Sequence, residues 1–175
     1  LYKMKYMGRD KVNSAGMITN ISLLEPRTRF ILRLLVKVLE QEPERNVLVL
    51  SSRVEHLETM EKMFNIMLPD IPTSLYIGKM KEQQRKIAET KKVLFGTFSM
   101  VSEGFDLPKL NTLLMTTPMT NVEQSVGRIM RTRNCVLKPL IIDIVDSLYI
   151  FKNQGFRRRK YYIDSKYKVI FKQNK

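Results

Sequence analysis

A chain of 175 residues with 43% hydrophobic content can bury one good core and is short for two full domains. Nothing in it approaches the roughly eighteen uncharged apolar residues of a membrane span, and the opening LYKMKYMGRD lacks the apolar core of a secretory signal, so no membrane role is expected. The single cysteine, Cys135, precludes an internal disulfide and suits a reducing, intracellular compartment, while the net charge of +14 is concentrated at the two ends of the chain.

Residues 1–24 read as a linker leading out of a longer polypeptide, in keeping with a start at Leu1 rather than Met. Over 27–41, Phe30, Ile31, Leu34, Leu35, Val38 and Leu39 fall at helical spacing, with Pro26 at a suitable helix start. Val47–Leu50 is a continuous apolar run, the pattern of a strand covered on both faces, and it ends in Ser51-Ser52-Arg53. A helix is predicted over 54–68, with Leu57, Met60, Phe64, Met67 and Leu68 on one face and Pro69 as its stop. His56, the only histidine, is expected there as a surface or capping residue.

Next come a strand over 74–77, a helix over 81–90, a strand over 93–96 and a short helix near 99–103. A strand over 112–115, a helix around 122–133 and a strand over 140–145 close the series. Strands alternating with helices predict an α/β fold with a largely parallel sheet. Asp143 and Asp146 follow the last strand and read as capping or surface carboxylates rather than a metal pair.

The end of the chain differs in character. Residues 151–175 carry nine Lys or Arg against Asp164, a net +8 of the total +14. Arg157, Arg158, Arg159 and Lys160 are interleaved there with Tyr161, Tyr162, Tyr167 and Phe171. Cations neutralise phosphates and aromatic faces stack on bases, so this basic helical tail is a candidate nucleic-acid contact. The plainer alternative is a solvated basic helix end whose aromatics pack on the core.

In a parallel α/β sheet the loops after the strands gather at the carboxyl edge, where ligands bind. Ser51-Ser52-Arg53, Thr97, Gly104–Asp106 and a helix bearing Gln124, Gly127, Arg128 and Arg131 all follow strands, so they share one rim. Arg128 and Arg131 stand three apart on a helix and project on one face, placed to grip a polyphosphate together. Gln124, four residues before Arg128, joins that face.

These segments carry a resemblance. NVLVLSSRVEHLETM, TFSMVSEGFDLPKLNTLLMTTP and VEQSVGRIMR are similar to motifs IV, V and VI in the second RecA-like domain of superfamily 2 helicases, the DEAD/DEAH-like group. The resemblance is particularly to helicases of phages and nucleocytoplasmic large DNA viruses, and within that group to a poxvirus-type transcript-release helicase. The resemblance spans about 25–150 and implies a RecA-like three-layer sandwich, with 1–24 as the linker from an N-terminal ATP-binding domain and 151–175 as a basic aromatic tail. It further implies an ATP-dependent helicase acting on DNA or RNA, with ATP and Mg²⁺ as cofactors.

By position, the resemblance makes Arg131 the arginine finger, Arg128 its neighbour and Gln124 the residue that orients the attacking water. Asp106 would accept from the ribose with Gly104 allowing close approach, and Ser51, Ser52, Arg53, Gly78, Lys79 and Thr97 would hold the tracked strand, joined by Arg157, Arg158 and Arg159. The departures matter as much. No GxxxxGK[ST] occurs, Gly78-Lys79 being followed by Met80, and no Asp-Glu pair is present to hold Mg²⁺. The chain alone is therefore expected to be inactive and monomeric, with the work requiring the N-terminal domain of the same polypeptide. A non-catalytic basic nucleic-acid-binding module on the same fold is the alternative. A viral protein of this kind would act in the host cytoplasm or nucleus.

Overall fold

The computed structural model describes residues 4–8, 11–102, 107–130 and 137–172. Its centre is a five-stranded, all-parallel sheet in the order β4-β5-β3-β6-β7, built from β3 (Val47–Ser51), β4 (Thr73–Tyr76), β5 (Val93–Thr97), β6 (Thr112–Met115) and β7 (Leu140–Asp143). The first of these strands in the chain is the middle one; the chain then crosses to the edge at β4, returns to place β5 between β4 and β3, and adds β6 and β7 in turn on the other side. Each strand lies within two residues of its predicted span, because short apolar runs bounded by polar or Pro-containing loops leave little choice of register. β7 is shorter than expected and ends at Asp143.

Alternation along β3 divides the interior in two. Val47 and Val49 face α2 (Glu25–Gln41) and α3 (Val54–Met67), packing with Ile31, Leu35, Leu57, Met60 and Phe64. Phe64 meets Phe95 of β5 edge-on, with ring centroids 6.0 Å apart. Both rings are fully buried, worth about 2–3 kcal/mol each from area alone. Leu48 and Leu50 face the other way, towards α4 (Glu82–Glu89), α5 (Phe98–Ser102), α6 (Glu123–Met130) and α7 (Tyr149–Asp164), against Ala88, Val101, Val126 and Tyr162. Helices thus cover both faces of the sheet, the three-layer RecA-like arrangement expected from the motifs.

The two ends of the chain fold onto the domain where they are described. Tyr6–Met7 and Lys11–Val12 form a two-residue antiparallel ladder, β1 and β2, followed by helix α1 (Ser14–Ser22). Asn13 caps α1 by accepting from the Gly16 N–H at 2.8 Å, and Met17 and Ile21 are fully buried against Phe151 of α7. The tail likewise folds back, with the Tyr167 N–H donating to the Tyr162 carbonyl at 2.9 Å beyond the end of α7. Gly155 sits where α7 crosses Val145, and a Cβ there would lie 2.7 Å from a Val145 methyl, so glycine sets how closely the helix approaches.

Candidate functional site

All five strands point the same way, so their carboxyl ends share one edge. Register places Ser51 opposite Thr97 on β5, while Leu50 pairs with Met115, the last residue of β6. Ser52, Thr97 and the Thr116-Thr117 pair therefore begin the loops of neighbouring strands. Gly78 and Lys79, following β4, are exposed on the same edge.

The corner after β3 uses its polar groups inwards. Ser51 is fully buried, its hydroxyl 3.1 Å from His56 Nδ1 and accepting from the Arg53 N–H at 3.2 Å. His56 Nε2 lies 3.2 Å from Thr28 Oγ1 on α2. Ser51 is thus a structural residue, not the phosphate contact expected of it, and His56 is buried rather than superficial. Burial and, secondarily, the charge of Arg27 lower the His56 pKa to about 4, so the ring is neutral and fixed between two hydroxyls.

Arg53 is similarly committed. Its guanidinium donates to Thr19 Oγ1 at 3.0 Å, to the Ala15 carbonyl at 2.8 Å and to the Ser52 carbonyl at 2.9 Å, strapping α1 to the corner. A backbone phosphate would have to compete with these three bonds. Ser52 is half-buried, and its N–H donates to Thr117 Oγ1 at 2.9 Å. Thr117, which sequence reasoning passed over, follows β6 much as Ser52 follows β3, and that parallel was the available signal. Thr97 remains half-exposed, with its hydroxyl 3.1 Å from that of exposed Ser99.

α6 starts at this edge. Val122 and Val126 are buried, whereas Gln124 is exposed on the opposite side of the first turn. Arg128 lies one turn further along α6; its side chain, together with Gly104, Asp106 and Arg131, is outside the described residues.

The three tail arginines have different surroundings. Arg157 is exposed. Arg159 is exposed too, its guanidinium 5.9 Å from the centre of the Phe171 ring. Arg158 is only 2% exposed; it donates to both oxygens of Asp143 at 2.7 and 2.8 Å and to the Met119 carbonyl at 2.6 Å. It is therefore unavailable to nucleic acid. Tyr162 adds a hydroxyl to Asp143 at 3.2 Å, and burial, reinforced by that carboxylate, raises the phenol's pKa.

Asp146 is held by Arg27, whose Nε and Nη2 donate to its two oxygens at 2.6 and 2.8 Å. Both strand-end aspartates are thus ion-paired locks, not the capping or surface groups expected. Among the described residues no group of three or more His, Cys, Asp or Glu is placed to hold a metal ion, so these residues do not fit a Mg²⁺ site. No helix among them is long and apolar enough to cross a membrane.

A parallel sheet covered by helices on both faces, with polar residues at the carboxyl ends of its strands, defines a RecA-like α/β domain. The chain belongs to the helicase conserved C-terminal domain family, whose model matches residues 30–134. It is 37% identical over 171 residues to the "Putative ATP-dependent RNA helicase L396" of Acanthamoeba polyphaga mimivirus, covering 95% of this chain and 33% of that protein. It is 26% identical over 153 residues to "Transcript termination protein A18" of camelpox virus, covering 82% of this chain and 29% of that one. The chain thus spans about a third of the length of either relative. The crystal structure of T4 UvsW shares the fold with a TM-score of 0.70 at 19% identity, over 94% of this chain and 37% of that one.

Proposed function

We propose that this chain is the C-terminal half of an ATP-dependent helicase or translocase of a DNA virus, working on nucleic acid during transcription or genome processing. The observation that carries the reading is the placement of Lys79, Thr97 and Gln124 at one edge of the sheet, all within the span that matches the family. ATP is the substrate, shared with a preceding RecA-like domain of the same polypeptide to which residues 1–24 lead. That domain holds Mg²⁺, which neutralises charge on the phosphates. From this side Arg131 meets the γ-phosphate, Arg128 supports it, Gln124 orients the attacking water, and Asp106 with Gly104 receives the ribose.

Such a division suits phosphoryl transfer, in which positioning and charge stabilisation do most of the catalysis. An arginine supplied across a domain interface contributes a factor of roughly 10³ to 10⁵. Exposed Gly78 and Lys79 and half-exposed Thr97, with Ser52 beside them, hold the sugar-phosphate backbone without reading sequence. Closing the two halves on ATP and reopening them after hydrolysis moves that grip along the strand.

The test is ATP hydrolysis by the natural full-length polypeptide, with and without single-stranded or duplex DNA and RNA, comparing wild type with Arg131→Ala. Stimulation by nucleic acid that the substitution abolishes, with folding intact, supports the reading. Turnover indifferent to Arg131 overturns it in favour of a non-catalytic binding module.

A further inference from the structure

With Arg158 and Tyr162 turned inwards, α7 divides into two faces. Phe151, Gly155, Arg158 and Tyr162, spaced by four, three and four residues, are its buried side. On the other side Tyr149, Phe156 and Ile163 are 75%, 64% and 53% exposed. They recur every seven residues, so each is rotated only about 20° from the last and lies about 10.5 Å further along the axis. Lys152 and Lys160, both exposed, stand four residues before and four after Phe156, one turn to either side of its ring.

We propose that this face of α7 is a stacking platform for single-stranded nucleic acid, on which Tyr149 and Phe156 receive bases while Lys152 and Lys160 hold the flanking phosphates. Exposed rings alternating with cations along one line are what sequence-indifferent single-strand binding requires. Position favours the same ligand. Arg158 ties the inward face of α7 to Asp143 at the carboxyl end of β7 and to the Met119 carbonyl in the loop before α6, so the helix that carries the platform is anchored at the carboxyl edge of the sheet, at the opposite end of the strand order from β4. The net +8 of residues 151–175 opposes pairing with a second copy of this chain, whose matching face carries the same charge. Membrane-surface helices also combine aromatics with lysines, so a vesicle measurement separates that occupant from a single strand.

The inference rests on the motor reading, and one set of measurements separates the two. The 175-residue chain, as wild type, as Tyr149→Ala/Phe156→Ala and as Lys152→Ala/Lys160→Ala, is titrated into fluorescently labelled oligo-dT and oligo-U over a range of salt. Removing the exposed rings takes little from the core, and circular dichroism checks the fold. The ring variant is expected to bind on the order of tenfold more weakly per ring at an unchanged salt slope. The lysine variant should flatten the log-log slope by about one unit per lost phosphate contact.

Because the chain contains no tryptophan, Phe156→Trp places a single reporter on the platform, and oligonucleotide should quench it. Equal binding by wild type and the ring variant overturns the platform and leaves the motor reading standing on the strand ends. So does an absence of binding by this chain when the full-length ATPase is still stimulated by nucleic acid. A blue shift in the emission of the Phe156→Trp variant on phosphatidylserine vesicles, without quenching by oligonucleotide, overturns the platform in favour of a membrane contact.

Discussion

The corner after β3 and helix α7 are both rich in residue types that bind phosphate, yet they present them differently. At the corner, Ser51, His56 and Arg53 close a network among β3, α2, α3 and α1. In α7 the work is divided by face, with Arg158 and Tyr162 turned towards Asp143 and Lys152, Arg157 and Lys160 left exposed. The difference teaches that residue type gives the capacity to bind an anion, whereas intramolecular partners decide whether that capacity is available.

Breaking the inward half of α7 gives the largest effect. Arg158→Met strands the Asp143 carboxylate, only 14% exposed, and removes the bond to Met119, at an expected cost of about 3–5 kcal/mol in denaturant unfolding. Pairing it with Asp143→Leu should recover most of that loss, because no uncompensated charge remains.

The corner is tested next by pH. His56 has its folded pKa lowered from 6.5 to about 4, so between those values the unfolded state binds the proton and the folded state does not. Stability is therefore fully present above pH 6.5 and falls as the pH drops towards 4, by a total of about 3 kcal/mol. His56→Gln, followed across the same pH range, should flatten that dependence.

Smaller effects sharpen the contrast. Arg53→Ala releases α1 from the corner, with an expected loss of about 1–2 kcal/mol and faster amide exchange across residues 14–22. Arg157→Ala, on the exposed side, should change stability by less than about 0.5 kcal/mol while reducing the salt slope of nucleic-acid binding by about one unit. A large stability loss at Arg157 would erase the distinction between the two faces.

The strands were legible because VLVL, VLF and TLLM are apolar runs of strand length punctuated by loops. α1 was not, since only Met17, Ile21 and Ser22 of its nine residues are buried and the aromatic that covers it, Phe151, lies far along the chain. The burial of His56 did leave a trace: it stands four residues before Met60 and eight before Phe64, on the inward face of α3. No spacing rule couples Asp143 to Arg158 or Asp146 to Arg27, because those pairs exist only once the sheet and helices are assembled. At the strand ends the sequence placed Ser51, Ser52, Arg53 and Thr97 along one edge, but not which of them would bond to their neighbours.

The strand order has a consequence for synthesis. β3, in the middle of the sheet, is the first of the five to leave the ribosome, and β6 waits for β7 to cover its far side. Until residues 140–143 emerge, a growing chain that has paired β6 carries a fully buried-type strand, Thr112–Met115, with one ladder edge open. Chains truncated before Leu140 should therefore clump on release, and the Asp143–Arg158 lock can engage only after the last strand is in place.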